Sequence, residues 1–133
     1  MRRRDVVLGI VALAGLVACA KTDAPADPVW GKEPCAHCRM LVGDKRFAAQ
    51  AVVRGDRKYF DDIGCMVLFT EKQPAERTWV RDAASSAWVD AKTARYVDGQ
   101  KSPMDFGFEA QKDGKLGWDD VRASAIKAGK GQP

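Results

Sequence analysis

Histidine is almost missing from this 133-residue chain, with His37 standing alone. No Ser–His–Asp constellation is evident, no pair of carboxylates is set for acid–base work, and nothing resembles a phosphate-binding loop. These absences argue against an enzyme. Cysteine is also scarce: there are four, and only one CxxC, so the two-pair zinc site is missing. Charges of both signs are mixed along the chain, which leaves no nucleic-acid footprint. The longest apolar run, residues 6–17, is too short to span a bilayer comfortably. No sequence repeat is visible.

That apolar run sits in an informative place. It follows Arg2, Arg3 and Arg4 and ends in Leu16-Val17-Ala18-Cys19. A basic start, a short apolar stretch and a small residue before a cleavage point make a signal peptide. Its ending resembles a bacterial lipobox. That resemblance implies that Cys19 becomes the first residue, carries lipid and anchors the chain to a membrane, facing the periplasm or cell exterior. Without residues 1–18 the net charge is only +2, so most of the basicity belongs to the signal. Cys35, Cys38 and Cys65 then remain, an odd number in an oxidising compartment. At least one thiol is left over.

The expected organisation is a signal peptide over 1–18, the lipidated Cys19 with a flexible tether over 19–33, one folded domain over 34–128, and a disordered tail over 129–133. Pro25 and Pro28 with no apolar period mark the tether. Within the domain, "RFAAQAVV" and "KYF" read as a hairpin over 46–60 turning at Gly55-Asp56. Asp61 or Asp62 can cap a helix over 62–72, which Pro74 closes. Strands are expected over 77–82, 86–91, 94–99 and 106–111, and an amphipathic helix over 118–129. The fold class is α+β, a single small domain of mostly antiparallel strands with two helices.

The stretch "EPCAHCRMLV" concentrates the chemistry. Haem attachment would need the histidine directly after the second cysteine, where Arg39 stands. A thioredoxin-like pair would sit where a strand enters a helix, whereas this pair runs from a proline-rich segment into apparently extended chain. A zinc site from Cys35, Cys38, Cys65 and His37, a local Cys35–Cys38 disulfide, and thiol–disulfide exchange by that pair all stay open. Met40 favours another reading. Thioether sulfur is a poor zinc ligand and a good Cu(I) ligand. Alternation in extended chain would put Cys38 and Met40 on one face. Cys65-Met66 and Met104 in "SPMDFG" are further soft groups, although Met66 has the spacing of a core residue.

"CAHCRMLV", "RFAAQ", "YFDDIGCMVLF" and "SPMDFGFEA", in that order, resemble the NosL family of lipoproteins linked to nitrous oxide reductase assembly. The likeness spans about residues 34–110. It implies paired ββαβ-like units and a Cu(I)-binding metallochaperone that passes copper to an apo cupro-enzyme, most often in denitrification. Its Cys-x-Met falls on Cys38 and Met40, and its later methionine on Met104. The family usually has glycine where this chain has Arg39. The candidate metal ligands are therefore Cys35, Cys38, Met40 and Met104, with Cys65, Met66 and His37 behind them.

Overall fold

The computed structural model describes residues 20–129. The signal segment, Cys19 and residues 130–133 lie outside the described residues. Among those described, no helix is long and apolar enough to cross a membrane.

A four-stranded antiparallel sheet is built from β1 (Ala49–Val53), β2 (Asp56–Phe60), β3 (Arg77–Arg81) and β4 (Trp88–Asp90), in the order β2-β1-β3-β4. A two-stranded ladder pairs β5 (Tyr96–Val97) with β6 (Glu109–Ala110). Three α-helical segments accompany them: a single turn, α1 (Ala20–Asp23), then α2 (Ile63–Lys72) and α3 (Trp118–Gly129). This is an α+β fold with antiparallel ladders and two full helices. The first unit runs β1-β2-α2-β3 and gains β4 as an edge. The second, β5-β6-α3, is shorter. A parallel bridge between Asp82 and Ala110 joins the two ladders.

Local chemistry sets these boundaries. The hairpin turns at Arg54-Gly55, both at positive φ (52° and 79°), one residue earlier than expected. Two left-handed residues match the twist of the flanking strands. The carboxylate of Asp62 accepts from the Gly64 N–H and starts α2. Helix α2 ends at Lys72, with Pro74 two residues on. Its Ile63, Cys65, Met66 and Val67 join Ala49, Ala51, Val53 and Phe60 in the core. Helix α3 completes the core with Val121 and Ala125. Its Gly129, expected in the tail, is the last helical residue and meets Leu68, which a Cβ there would approach to 2.7 Å.

Strand β1 is buried along its whole length. Its alternate face carries Gln50, and the cover there comes from an unexpected source. Residues 24–33, expected as a tether, are docked on the sheet. Gln50 exchanges hydrogen bonds with both backbone groups of Ala26 (3.2 and 3.1 Å), and the Tyr59 hydroxyl donates to the Ala26 carbonyl at 2.9 Å. Asp27 accepts from Trp88 Nε1 at 2.7 Å and pairs with Arg81 at 3.3 Å. Trp30 lies parallel to Trp88, centroids 6.4 Å apart, and the Arg81 guanidinium sits over both rings at 5.0 and 5.3 Å. The segment is held by carbonyls, one carboxylate and cation–π contacts, none of which produces an apolar period.

Candidate metal centre

Residues 34–41 form a closed loop. Pro34 and Leu41 make an antiparallel bridge. Inside it the Cys35 N–H donates to the Met40 carbonyl at 2.7 Å, and the Arg39 N–H donates to the Cys35 carbonyl at 3.0 Å. The Ala36 N–H donates to the Tyr59 carbonyl at 2.8 Å, which ties the loop to β2. The chain therefore turns between Cys35 and Met40 and is not extended there. Arg39 reverses it at φ 72°, in the left-handed region where a side chain is costly and glycine is not. The alternation argument for Cys38 and Met40 accordingly fails: the left-handed residue between them breaks the strand repeat.

The turn points Cys35 inward, fully buried, and leaves Cys38 half-buried. Strand β2 delivers Asp61 at its end, 1% exposed, and the first turn of α2 delivers Cys65, fully buried. One ligand atom from each of Cys35, Cys38, Asp61 and Cys65 lies within 4.8 Å of every other. All three cysteines are free thiols, so the Cys35–Cys38 disulfide kept open above is not formed.

Hydrogen bonding differentiates the sulfurs. The neighbouring Cys65 thiol is the main reason the Cys35 pKa falls to about 6; burial opposes this, and backbone amides led by that of Cys38, 3.5 Å away, assist it. Cys65 is pushed up by Cys35 and by burial. Cys38 is pushed up to about 12, chiefly by burial and also by donating its proton to Asp61 Oδ1 at 3.2 Å. The proton is thus drawn away from Cys35 and held at Cys38 and Cys65. The other oxygen, Asp61 Oδ2, is buried without any hydrogen-bond partner among the described residues. A buried polar atom left unpaired costs about 1–3 kcal/mol, and a cation held by these groups would remove that cost. Three soft sulfurs with one hard oxygen suit a thiophilic ion such as Cu(I) or Zn(II).

The other candidates occupy distinct places. His37 lies between the two cysteines, yet its ring contributes no atom to the cluster. Its pKa is lowered by burial and then by the charge of Lys72, against the pull of Asp61. Met66 is fully buried in the core, one helical step from Cys65. Met40 is 52% exposed at the rim of the loop. Met104 is half-buried against the core, and its backbone N–H donates to Asp62 Oδ2 at 2.9 Å. The loop carrying it is fixed by the Ser102 hydroxyl, which accepts from the Gly107 N–H at 2.8 Å. Phe106 of that loop packs on Gly64 so tightly that a Cβ there would fall 2.0 Å from the ring. Segments 35–40, 60–66 and 102–107, far apart in sequence, thus meet around the start of α2.

In the sequence Asp61 stands beside Asp62 as an alternative helix cap, a reading that does not mark it as a site residue. A helix start takes one cap, and Asp62 fills that role. The second aspartate of the pair was the available signal.

Fold and cluster together define a small α+β domain with three thiols and a carboxylate gathered where they could hold a metal ion. No protein-family model and no curated protein sequence matches the chain. Among solved structures, the copper chaperone NosL from Shewanella denitrificans is similar: 17% identity, 77% of this chain and 87% of that chain covered, TM-score 0.58. The chain therefore has a NosL-like fold.

Proposed function

We infer that this chain is a Cu(I)-binding metallochaperone of the bacterial cell envelope, a carrier and not an enzyme. Cys19 would hold it to a membrane through lipid, facing the periplasm or cell exterior. Its client would be an exported apo cupro-enzyme, with nitrous oxide reductase as the first candidate from the sequence resemblance. The observation that carries this reading is the gathering of three free thiols and Asp61 within 4.8 Å. The NosL-like fold supports it, since the neighbour is a copper chaperone.

Cys35, Cys38 and Cys65 supply the sulfur, and Asp61 supplies charge balance. Met40, on the loop, and Met104, whose backbone is bonded to Asp62 at the start of α2, are the further soft ligands of this reading. Half-burial of Cys38 matters, because a carrier must release cargo by ligand exchange.

The test is a competition titration of the reduced domain, residues 20–133, with Cu(I) and Zn(II). One Cu(I) bound far more tightly than Zn(II) is expected, with Cys38→Ser costing more affinity than Met40→Leu. Zinc preference would sink the copper reading and favour a structural zinc site. Transfer from the loaded domain to apo nitrous oxide reductase tests the client.

A second reading has its own observation. Cys35 and Cys38 stand as free thiols within 4.8 Å of each other, and Cys35 is held below the usual thiol range, features shared with a thiol–disulfide oxidoreductase pair, although Cys35 is fully buried. Catalysed disulfide reduction that is lost in Cys35→Ser would favour it.

A further inference from the structure

The large exposed hydrophobic side chains of the described residues are Val29 (62%), Met40 (52%) and Leu41 (58%); Met40 and Leu41 lie on the cysteine loop and Val29 on the segment that leads into it. Backbone bonds tie together the two segments that carry them. The Val29 carbonyl accepts from the N–H groups of Lys32 and Glu33, the Gly31 N–H donates to the Val42 carbonyl at 2.8 Å, and Leu41 bridges Pro34. Exposed hydrophobics scattered singly need no explanation, but a contiguous ridge marks a contact surface.

The ridge has a charged border. Lys32, Arg39 and Lys45 are exposed around it. Lys32 and Arg39 have no ion pair among the described residues, and Lys45 lies over the Trp30 ring at 5.3 Å. Of the nearby acids, Asp44 is already paired with Arg46 at 3.2 Å, and the half-buried Glu33 offsets one of the three cations. The uncompensated charge at the border is positive.

We propose that the Val29–Met40–Leu41 ridge is the docking surface for the copper-accepting protein, and that this partner presents an apolar patch ringed by carboxylates. The inference rests on the carrier reading above. It follows from the exit geometry: Cys35 and Cys65 are fully buried, so an incoming ligand reaches the cluster through half-buried Cys38, on the loop that forms the ridge. A lipid surface against this ridge would cover that exit and block release. A second copy docked through the same face would bring two basic borders together, which like-charge repulsion opposes. An acidic partner satisfies both the charge and the exit.

The test uses the full-length chain in copper-replete cells of its own host, with Leu41 replaced by the photo-crosslinking residue p-benzoylphenylalanine and the adduct identified by mass spectrometry. The expected adduct is a protein with its own Cys, Met or His copper site, crosslinked within an acidic segment. Val29→Asp in the same background should lower its yield about tenfold, the scale of losing one central contact, while Cu(I) affinity measured against a chelator stays unchanged. An adduct with lipid, an adduct with a second copy, or no adduct overturns the proposal. Failure of the unsubstituted domain to bind Cu(I) in the chelator arm sinks the carrier reading instead, and the two failures are read from different measurements.

Discussion

Replacing Asp61 with asparagine separates a metal ligand from a structural hydrogen-bond acceptor. Asp61 is 1% exposed; Oδ1 accepts from the Cys38 thiol at 3.2 Å, and Oδ2 has no partner among the described residues. In Asp61→Asn the oxygen facing Cys38 is kept and volume is conserved. What disappears is a buried carboxylate whose second oxygen is unsatisfied, a burden of about 1–3 kcal/mol. The new NH₂ group still needs a partner, so the lower end of that range applies. A gain of about 1 kcal/mol raises the Tm of a domain near 100 residues by about 4 °C or more. The metal-loaded state changes in the opposite direction. A neutral amide oxygen is a weaker donor than a carboxylate and no longer balances the ion's charge, so Cu(I) affinity should fall by about tenfold, 1.4 kcal/mol, or more. The assay is paired: thermal unfolding of the reduced apo domain, and Cu(I) competition against a chelator. Higher apo stability with weaker copper binding is the expected result, the trade-off of a site kept strained for its ligand. A lower apo Tm with unchanged copper affinity would show that Asp61 is only a structural acceptor and would remove it from the centre.

Arg39→Gly should stabilise the apo domain by about 0.5–1 kcal/mol in denaturant unfolding, because relief of a left-handed side chain (about 1–2 kcal/mol) exceeds the added chain entropy of glycine; copper affinity should hold. Gly64→Ala forces a Cβ to 2.0 Å from Phe106, so overpacking of about 1–3 kcal/mol should appear as a lowered denaturation midpoint and faster hydrogen exchange at the Met104 amide. Met104→Leu keeps volume and apolarity, at a stability cost below about 1.5 kcal/mol; a fall in Cu(I) affinity is expected, and unchanged affinity would take Met104 out of the site. Cys19→Ala should leave the chain without acyl mass and, if processed, in the soluble fraction.

Where local chemistry was strong, the sequence was legible. Asp62 and Pro74 bracket α2, the Val52-Val53 strand turns back at a glycine, and Asp119-Asp120 open α3. Legibility failed where distant polar groups decide the structure. Residues 24–33 have the composition of a tether, yet Gln50, Tyr59, Arg81 and Trp88 hold them down. No window of the segment itself contains that information. The cysteine loop is similar. Its i, i+2 pattern suggested one extended face for Cys38 and Met40, but the left-handed Arg39 undoes it. The family glycine at that position was the available hint, since glycine commonly marks positive φ. Cys65 was visible as a soft residue, but its approach to Cys35 depends on how β2 enters α2, a tertiary fact.

The arrangement of the four groups orders their exchange. Cys35 and Cys65 are both fully buried, one from the loop and one from α2, with their sulfurs within 4.8 Å of each other. A ligand arriving from outside cannot reach them first. Cys38 is half-buried, and its loop is attached to β2 by the Ala36–Tyr59 bond and to itself by the Pro34–Leu41 bridge. Moving Cys38 therefore disturbs a short loop and leaves the core intact, whereas moving Cys65 would unwind the start of α2 beneath Phe106. Among the cluster sulfurs, the one whose displacement costs least is also the most accessible. An ion held here would lose its Cys38 bond first and its Cys65 bond last, with Met40 exposed beside the opening. That sequence gives a carrier a way to release metal one ligand at a time. It also separates the half-buried loop cysteine, Cys38, from the two fully buried ones, Cys35 on the same loop and Cys65 on α2.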